Sequence, residues 1–246
     1  MSRMTHRVLI TGGRRGLGRH LALHLAGTGH VVCLLGRTPR EALDPEVQKA
    51  VAECLVADPA DRASLDAALA QVAAHVPPFD VVIGNAAIRP AGRLLLDYDA
   101  DEIRQMIEVN LTAPALLARA TLPGMNTLGY GRVILIGSRA AFGRGPREAV
   151  YAASKAGLVA LVEALAGEVD GRTVTVNAIC PGRFSADSRH NRAGGGTVLG
   201  QVLARTDWLI ESHVNGRIVP VAPWRHRAKD ARRAMVRAVR LLLPRG

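Results

Sequence analysis

The chain has 246 residues, of which 48% are hydrophobic, 22% charged and 3% aromatic, and its 32 Lys+Arg against 21 Asp+Glu give a net charge of +11. That length suits one α/β domain with a buried core, and the apolar content excludes a largely disordered chain. No uncharged apolar run approaches the roughly 20 residues that span a bilayer, and Val8–Ile10 is too short for a signal-peptide core, so a soluble, cytoplasmic protein is expected.

Strand-like and helix-like segments alternate along the chain, the pattern of a parallel sheet covered by helices on both faces. Arg7–Ile10 reads as a first strand and runs into a glycine-rich turn. Leu17, Leu21 and Leu25 then share one helical face, and Gly27 and Gly29 end that helix. Strands follow at His30–Leu35 and Cys54–Ala57. A helix over Ala60–His75 stops at Pro77-Pro78, and a fourth strand is Asp80–Gly84. One long helix is expected from Asp99 to Leu122. A fifth strand over Arg132–Ile136 leads to a helix from Val150 to Glu168, and a sixth strand over Thr173–Cys180 closes at Pro181-Gly182. Thr197–Ile210 reads as helix and Arg217–Val221 as a seventh strand. The resulting organisation is one domain over residues 1–224 and a basic C-terminal extension over 225–246.

The bases are unevenly chosen and unevenly placed. Arginine supplies 29 of them, and only Lys49, Lys155 and Lys229 are lysine, a skew that reads as codon bias before it reads as function. Arg225–Gly246 holds eight of the bases and a single acid, Asp230. On a helix of about 100° per residue, Lys229, Arg232, Arg233, Arg237 and Arg240 fall within an arc of about 140°. Such a helix packs on the body with a solvated basic face, docks an acidic carrier protein, or lies on an anionic membrane. No aromatic residue interrupts it, which argues against nucleic acid. The cysteines, Cys33, Cys54 and Cys180, show no metal-ligand spacing and are expected reduced, with Cys33 and Cys180 in the core.

Thr11-Gly12-Gly13-Arg14-Arg15-Gly16-Leu17-Gly18 joins the first strand to the first helix, where glycines let the backbone approach a pyrophosphate at the helix N-terminus. At the end of the second strand, Gly36-Arg37 stands where an NAD site carries an acid for the ribose hydroxyl. Arg15 and Arg37 would instead clasp a 2′-phosphate, so the expected cofactor is NADP(H). Farther on, Tyr151 and Lys155 share a helix face at i, i+4. An adjacent ammonium favours the ionised phenol and so improves it as a proton shuttle. Ser138 ends the fifth strand. Asn110 sits inside a helix, where its side chain needs a partner.

Together these residues resemble the short-chain dehydrogenase/reductase family over about Arg7 to Gly182. The resemblance rests on Thr11–Gly18, Asp58, Asn85-Ala86, Asn110, Ser138, Tyr151-Ala-Ala-Ser-Lys155, Asn177 and Pro181-Gly182. It implies a doubly wound Rossmann fold with a mostly parallel seven-stranded sheet and hydride transfer at nicotinamide C4. Tyr151 would be the general acid/base, Ser138 would hold the substrate oxygen, and Lys155 would bind the nicotinamide ribose and tune Tyr151. Asn110 would hold a water of the proton relay. The cofactor would lie against Thr11, Gly12, Arg14, Arg15, Gly16, Leu17, Gly18, Arg37, Asp58, Asn85, Ala86, Ala87, Pro181 and Gly182, besides Tyr151 and Lys155. The family usually forms homodimers or homotetramers, and no metal is implied. Departures are Gly84 and Ala87 flanking Asn85-Ala86, Ala186 where threonine is usual with Ser185 or Ser188 as substitutes, and a short lid segment after Pro181.

The substrate pocket is expected to be lined by residues 88–94, 139–148 and those after Gly182, which hold Arg89, Arg93, Arg139, Arg144, Arg147 and Arg183. They would suit a carboxylate, a phosphate or a phosphopantetheine arm, or else are surface charge. The expected function is NADPH-dependent reduction of a ketone or aldehyde, of ketoacyl-reductase type, on a small-molecule carbonyl substrate linked or not to a carrier protein or CoA. Imine reduction, redox-neutral epimerisation and a noncatalytic NADP-binding scaffold stay as alternatives.

Overall fold

In strand β1 (Arg7–Thr11) alternate side chains enter different cores: Val8 and Ile10 join one apolar cluster and Leu9 the other. The same period of two runs through β2 (Val31–Gly36), β4 (Val81–Gly84), β5 (Gly131–Ile136) and β6 (Val174–Pro181), all of which are apolar almost throughout because both faces of the sheet are covered. β3 (Val51–Val56) and β9 (Ile218–Val221) lie at the edges and are less completely buried. The order is β3-β2-β1-β4-β5-β6-β9 and every pairing in it is parallel. A two-residue antiparallel pair, β7 (Arg192–Ala193) and β8 (Gly196–Thr197), stands apart from it. This computed structural model describes residues 4–89, 92–142, 146–182, 192–193 and 196–221.

One face is covered by α1 (Gly16–Gly27), α2 (Pro45–Ala50) and α7 (Val198–Glu211), through Leu21, Leu25, Val47, Val202 and Leu209. The other is covered by α3 (Arg62–Ala74), α5 (Ala113–Leu128) and α6 (Ala149–Glu168), through Leu65, Leu69, Leu117, Met125, Leu158 and Val162. Each such side chain removed from water contributes about 1.5–3 kcal/mol of transfer free energy. The strand order reverses between β1 and β4. The crevice that opens there, at the carboxyl ends of the strands, is where a doubly wound sheet binds ligands.

Four local features differ from the sequence-based expectation. α2 was not expected; its N-cap is Asp44, which accepts from Glu46 N at 3.0 Å, with Pro45 in the first turn. It leads straight into β3, which therefore starts at Val51 rather than Cys54. The helix expected over Asp99–Leu122 is two helices, α4 (Ala100–Ile107) and α5, joined by a π-helical turn at Glu108–Thr112, and α5 continues through Pro123 to Leu128. α6 is long and apolar enough to cross a membrane, with a mean hydropathy of 1.5, yet its buried side chains pack on the sheet and it carries Tyr151 and Lys155. Arg144, Arg183, Ser185, Ala186, Ser188, Trp224 and the basic extension 225–246 lie outside the described residues.

Candidate active site

The nucleotide end is a cavity of about 380 Å³ lined by Thr11, Gly12, Arg14, Arg15, Gly16, Arg37, Asp58, Asn85, Ala86 and Ala87, among others. Its rim is the N-terminus of α1. Arg15 is the N-cap there and makes no side-chain cap, and no acid stands in the first turn. In contrast, α2, α3 and α4 are capped by Asp44, Asp61 and Asp99. The first N–H groups of α1 are thus left for an anion. Gly12 has φ +72° and Gly16 φ +60°, a backbone region that L side chains rarely adopt.

Several expected cofactor contacts instead build the cradle. Thr11 Oγ1 accepts from Asn85 N at 2.9 Å and Ala86 N at 3.0 Å, and Asn85 Nδ2 donates to Thr11 O and Gly12 O at 2.9 and 3.1 Å. These bonds staple the glycine turn to the end of β4. Gly18 does not line the cavity, and a Cβ there would lie 2.2 Å from Gly12 O and 2.5 Å from Asn85 Nδ2. Leu17 is half-buried and packs against the core. At Gly84 a Cβ would meet Leu135 Cδ2 at 2.6 Å, so the larger residue of the family pattern would require that leucine to shift. Arg37 is largely exposed and sits 3.9 Å from Asp58, a loose surface pair free to turn toward a ligand. Arg14 and Arg15 are exposed beside it. A dinucleotide fits this donor set: an uncapped helix start for the pyrophosphate and guanidinium groups at the adenosine end.

At the chemical end, Ser138 follows β5 and caps the 3₁₀ turn Arg139–Ala141, its Oγ accepting from Ala140 N at 3.1 Å. It lies near enough to the Tyr151 phenol to favour the ionised form, and the Tyr151 ring packs with Met106, Ala140, Val150 and Ala152. Burial raises the Tyr151 pKa, an effect that Ser138 opposes in part. The direction is opposite to the lowering expected from an adjacent ammonium. Lys155 Nζ donates to Ile136 O at 2.8 Å, and burial lowers its own pKa to about 8. Tyr151 is held as the neutral acid.

Asn110 is fully buried in the π-helical turn. Its Oδ1 accepts from Ile88 N at 2.7 Å, and its Nδ2 donates to Ile88 O at 2.9 Å and Ser154 Oγ at 3.1 Å. Both Nδ2 hydrogens are engaged, so on this side chain only the second lone pair of Oδ1 is left for a relay water. Ser154, which the sequence reading placed in the motif without a role, donates to Tyr151 O at 2.8 Å. Cys180 was likewise missed as part of the site. Its thiol, pushed up to about 11 by burial, an effect that the Ser138 backbone opposes in part, would lie 2.5 Å from any Cβ at Gly137. Pro181 and Gly182 follow it, Gly182 N donating to Val221 O at 3.0 Å. Ser138, Tyr151, Lys155 and Asn110 are thus joined through β5, α6 and the π-helical turn, while Leu17, Gly18, Pro181 and Gly182 do not line the nucleotide cavity.

The family model for short chain dehydrogenases matches residues 6–194. The chain belongs to that family. As a short-chain dehydrogenase it is 33% identical over 204 residues to the 3-oxoacyl-[acyl-carrier-protein] reductase of Escherichia coli, covering 80% of this chain and 81% of the relative. It is 34% identical over 181 residues to the enzyme of the same name from Mycobacterium tuberculosis, covering 73% and 70%. Among solved structures, a Beutenbergia cavernae protein named as an NAD(P)-dependent gluconate 5-dehydrogenase, with bound NADP, aligns at TM-score 0.77 and 29% identity over 87% of this chain and 94% of that one. A Bacillus thuringiensis protein named as a 3-oxoacyl-reductase aligns at TM-score 0.75 and 27% identity over 88% and 96%. This short-chain dehydrogenase is accordingly an oxidoreductase of a family that binds a nicotinamide cofactor.

Proposed function

We propose that this short-chain dehydrogenase reduces a ketone or aldehyde with NADPH, in the manner of a 3-oxoacyl reductase. The observation that carries the reading is Ser138 at the end of β5 beside the buried Tyr151, with Lys155 buried one helical turn beyond it. When bound, the reduced cofactor supplies the hydride. Ser138 donates a hydrogen bond to the carbonyl oxygen and orients it, and the Tyr151 O–H gives that oxygen its proton as charge develops there. A phenol whose pKa burial raises is in the protonated form that reduction requires. Lys155, still mostly protonated at pH 7 with a pKa of about 8, stabilises the phenolate left behind.

Arg37 after β2, with Arg15 beside it, supports a 2′-phosphate and hence NADPH. The relatives named for acyl-carrier-protein substrates support a carrier- or CoA-linked carbonyl. Tyr151→Phe tests the reading. It should lower kcat for ketone reduction by about 10²–10⁴-fold while NADPH still binds. Turnover preserved in Tyr151→Phe would defeat the assignment of the proton donor. NADPH binding with no turnover of any carbonyl by the native protein would favour the noncatalytic alternative.

A further inference from the structure

Arg89 and Glu148 form an ion pair near Tyr151, one from the segment after β4 and the other from the start of α6. Arg89 follows Ile88, whose N–H and C=O are both held by the buried amide of Asn110, so the backbone that aims Arg89 is clamped from the π-helical turn. Glu148 is the N-cap of α6, three residues before Tyr151, and its carbonyl accepts from Ala152 N at 2.8 Å. The Arg89 guanidinium reaches the Glu148 carboxylate at 3.8 Å, with side-chain exposures of 45% and 27%. The pair is loose and partly wet, so its own contribution to stability is small. Both groups are near enough to the Tyr151 phenol to act on it, Arg89 favouring the phenolate and Glu148 opposing it. Arg93, in the same segment, is differently placed. It is tied to Glu102 at 2.6 Å and to the Asp97 carbonyl, and it stacks over Tyr98, so it serves the start of α4.

We propose that Arg89 is the substrate-recognition residue for an anionic group, a carboxylate or phosphate, carried near the reacting carbonyl, and that Glu148 is its counter-ion while the site is empty. The proposal rests on the carbonyl-reductase reading and adds the substrate class. A guanidinium on a clamped backbone can accept a planar anion through two N–H donors. Glu148 holds it in place until substrate displaces the longer, weaker contact.

Two matched pairs test this: 3-oxobutanoate against its ethyl ester, and hydroxyacetone phosphate against hydroxyacetone. For each, the ratio of kcat/KM for the anion to that for the neutral ketone is measured in the native protein, Arg89→Ala, Arg89→Lys and Glu148→Gln. The native ratio should exceed one for at least one pair, which identifies carboxylate or phosphate. Arg89→Ala should lower that ratio by about 10–100-fold, as expected for loss of a charge-assisted pair. Arg89→Lys should recover part of it, and Glu148→Gln should raise it. Binding of the same four compounds to Tyr151→Phe protein, with and without NADPH, reads the same preference without turnover. An anion preference in binding with no turnover by native protein would defeat the reductase reading and leave Arg89 assigned. A ratio that Arg89→Ala leaves unchanged, or that both Arg89→Ala and Glu148→Gln lower alike, would overturn the proposal, since equal loss marks a merely structural ion pair.

Discussion

Tyr151 and Lys155 are one helical turn apart in sequence, yet burial moves their pKa values in opposite directions, the phenol up and the ammonium down to about 8. Desolvation disfavours the charged form of each, which is the anion for tyrosine and the cation for lysine. Lys155 therefore keeps its proton below pH 8 and loses it as the pH rises through that value. kcat/KM for NADPH should fall on the same rise, and Lys155→Met should have a uniformly low profile without that limb. A native profile that stays flat well above pH 8 would contradict the assignment. Asn110 gives a second prediction. Asn110→Leu leaves Ile88 N–H, Ile88 C=O and Ser154 Oγ without their partner, so unfolding free energy should fall by at least about 2 kcal/mol in denaturant titration. The need for a partner was legible at Asn110, because a mid-helix asparagine is otherwise unfavourable. Which atoms supply it was not, since Ile88 and Ser154 are brought there by the sheet and by α6.

Among the elements, α1 shows how much a glycine's neighbours matter. Gly18→Ala would force a methyl onto Gly12 O and Asn85 Nδ2, whereas Gly27 at the far end of the same helix has nothing within 4 Å of its added Cβ. Gly27→Ala should leave Tm unchanged or raise stability by about 0.5–1 kcal/mol. Gly18→Ala should lower Tm and weaken cofactor binding together. Equal effects of the two substitutions would contradict the packing described for the turn. Most strands of the sheet and the helix that carries Lys155 could be read from apolar runs and periodicity, because a sheet buried on both faces leaves little ambiguity. α2 was not read, although Asp44-Pro45 is a cap followed by proline in the first turn, because six residues carry too little periodicity. The π-helical turn at 108–112 leaves no mark in the hydrophobic pattern, and Pro123 seemed to end a helix that in fact continues to Leu128.

For the molecule as a whole, parallel pairing from β3 to β9 places the glycine turn, Asp58, Asn85, Ser138 and Cys180 at the same carboxyl edge of the sheet, although they are scattered over most of the chain. At the opposite edge, Arg132 is 1% exposed and ties β5 to the last turn of α7, donating to Ile210 O at 3.2 Å and Thr173 O at 3.0 Å. The reversal between β1 and β4 opens the cavity between the uncapped start of α1 and Arg37. The claim that the protein works as an NADPH enzyme stands on that end of the molecule. The direct test is a calorimetric titration of NADPH and NADH into the native protein and Arg37→Ala. NADPH should bind at least about tenfold more tightly than NADH, and Arg37→Ala should remove most of that preference with little change for NADH, as loss of a charge-assisted phosphate contact requires. Equal affinity for the two cofactors in the native protein, or a preference that Arg37→Ala leaves intact, would contradict the account.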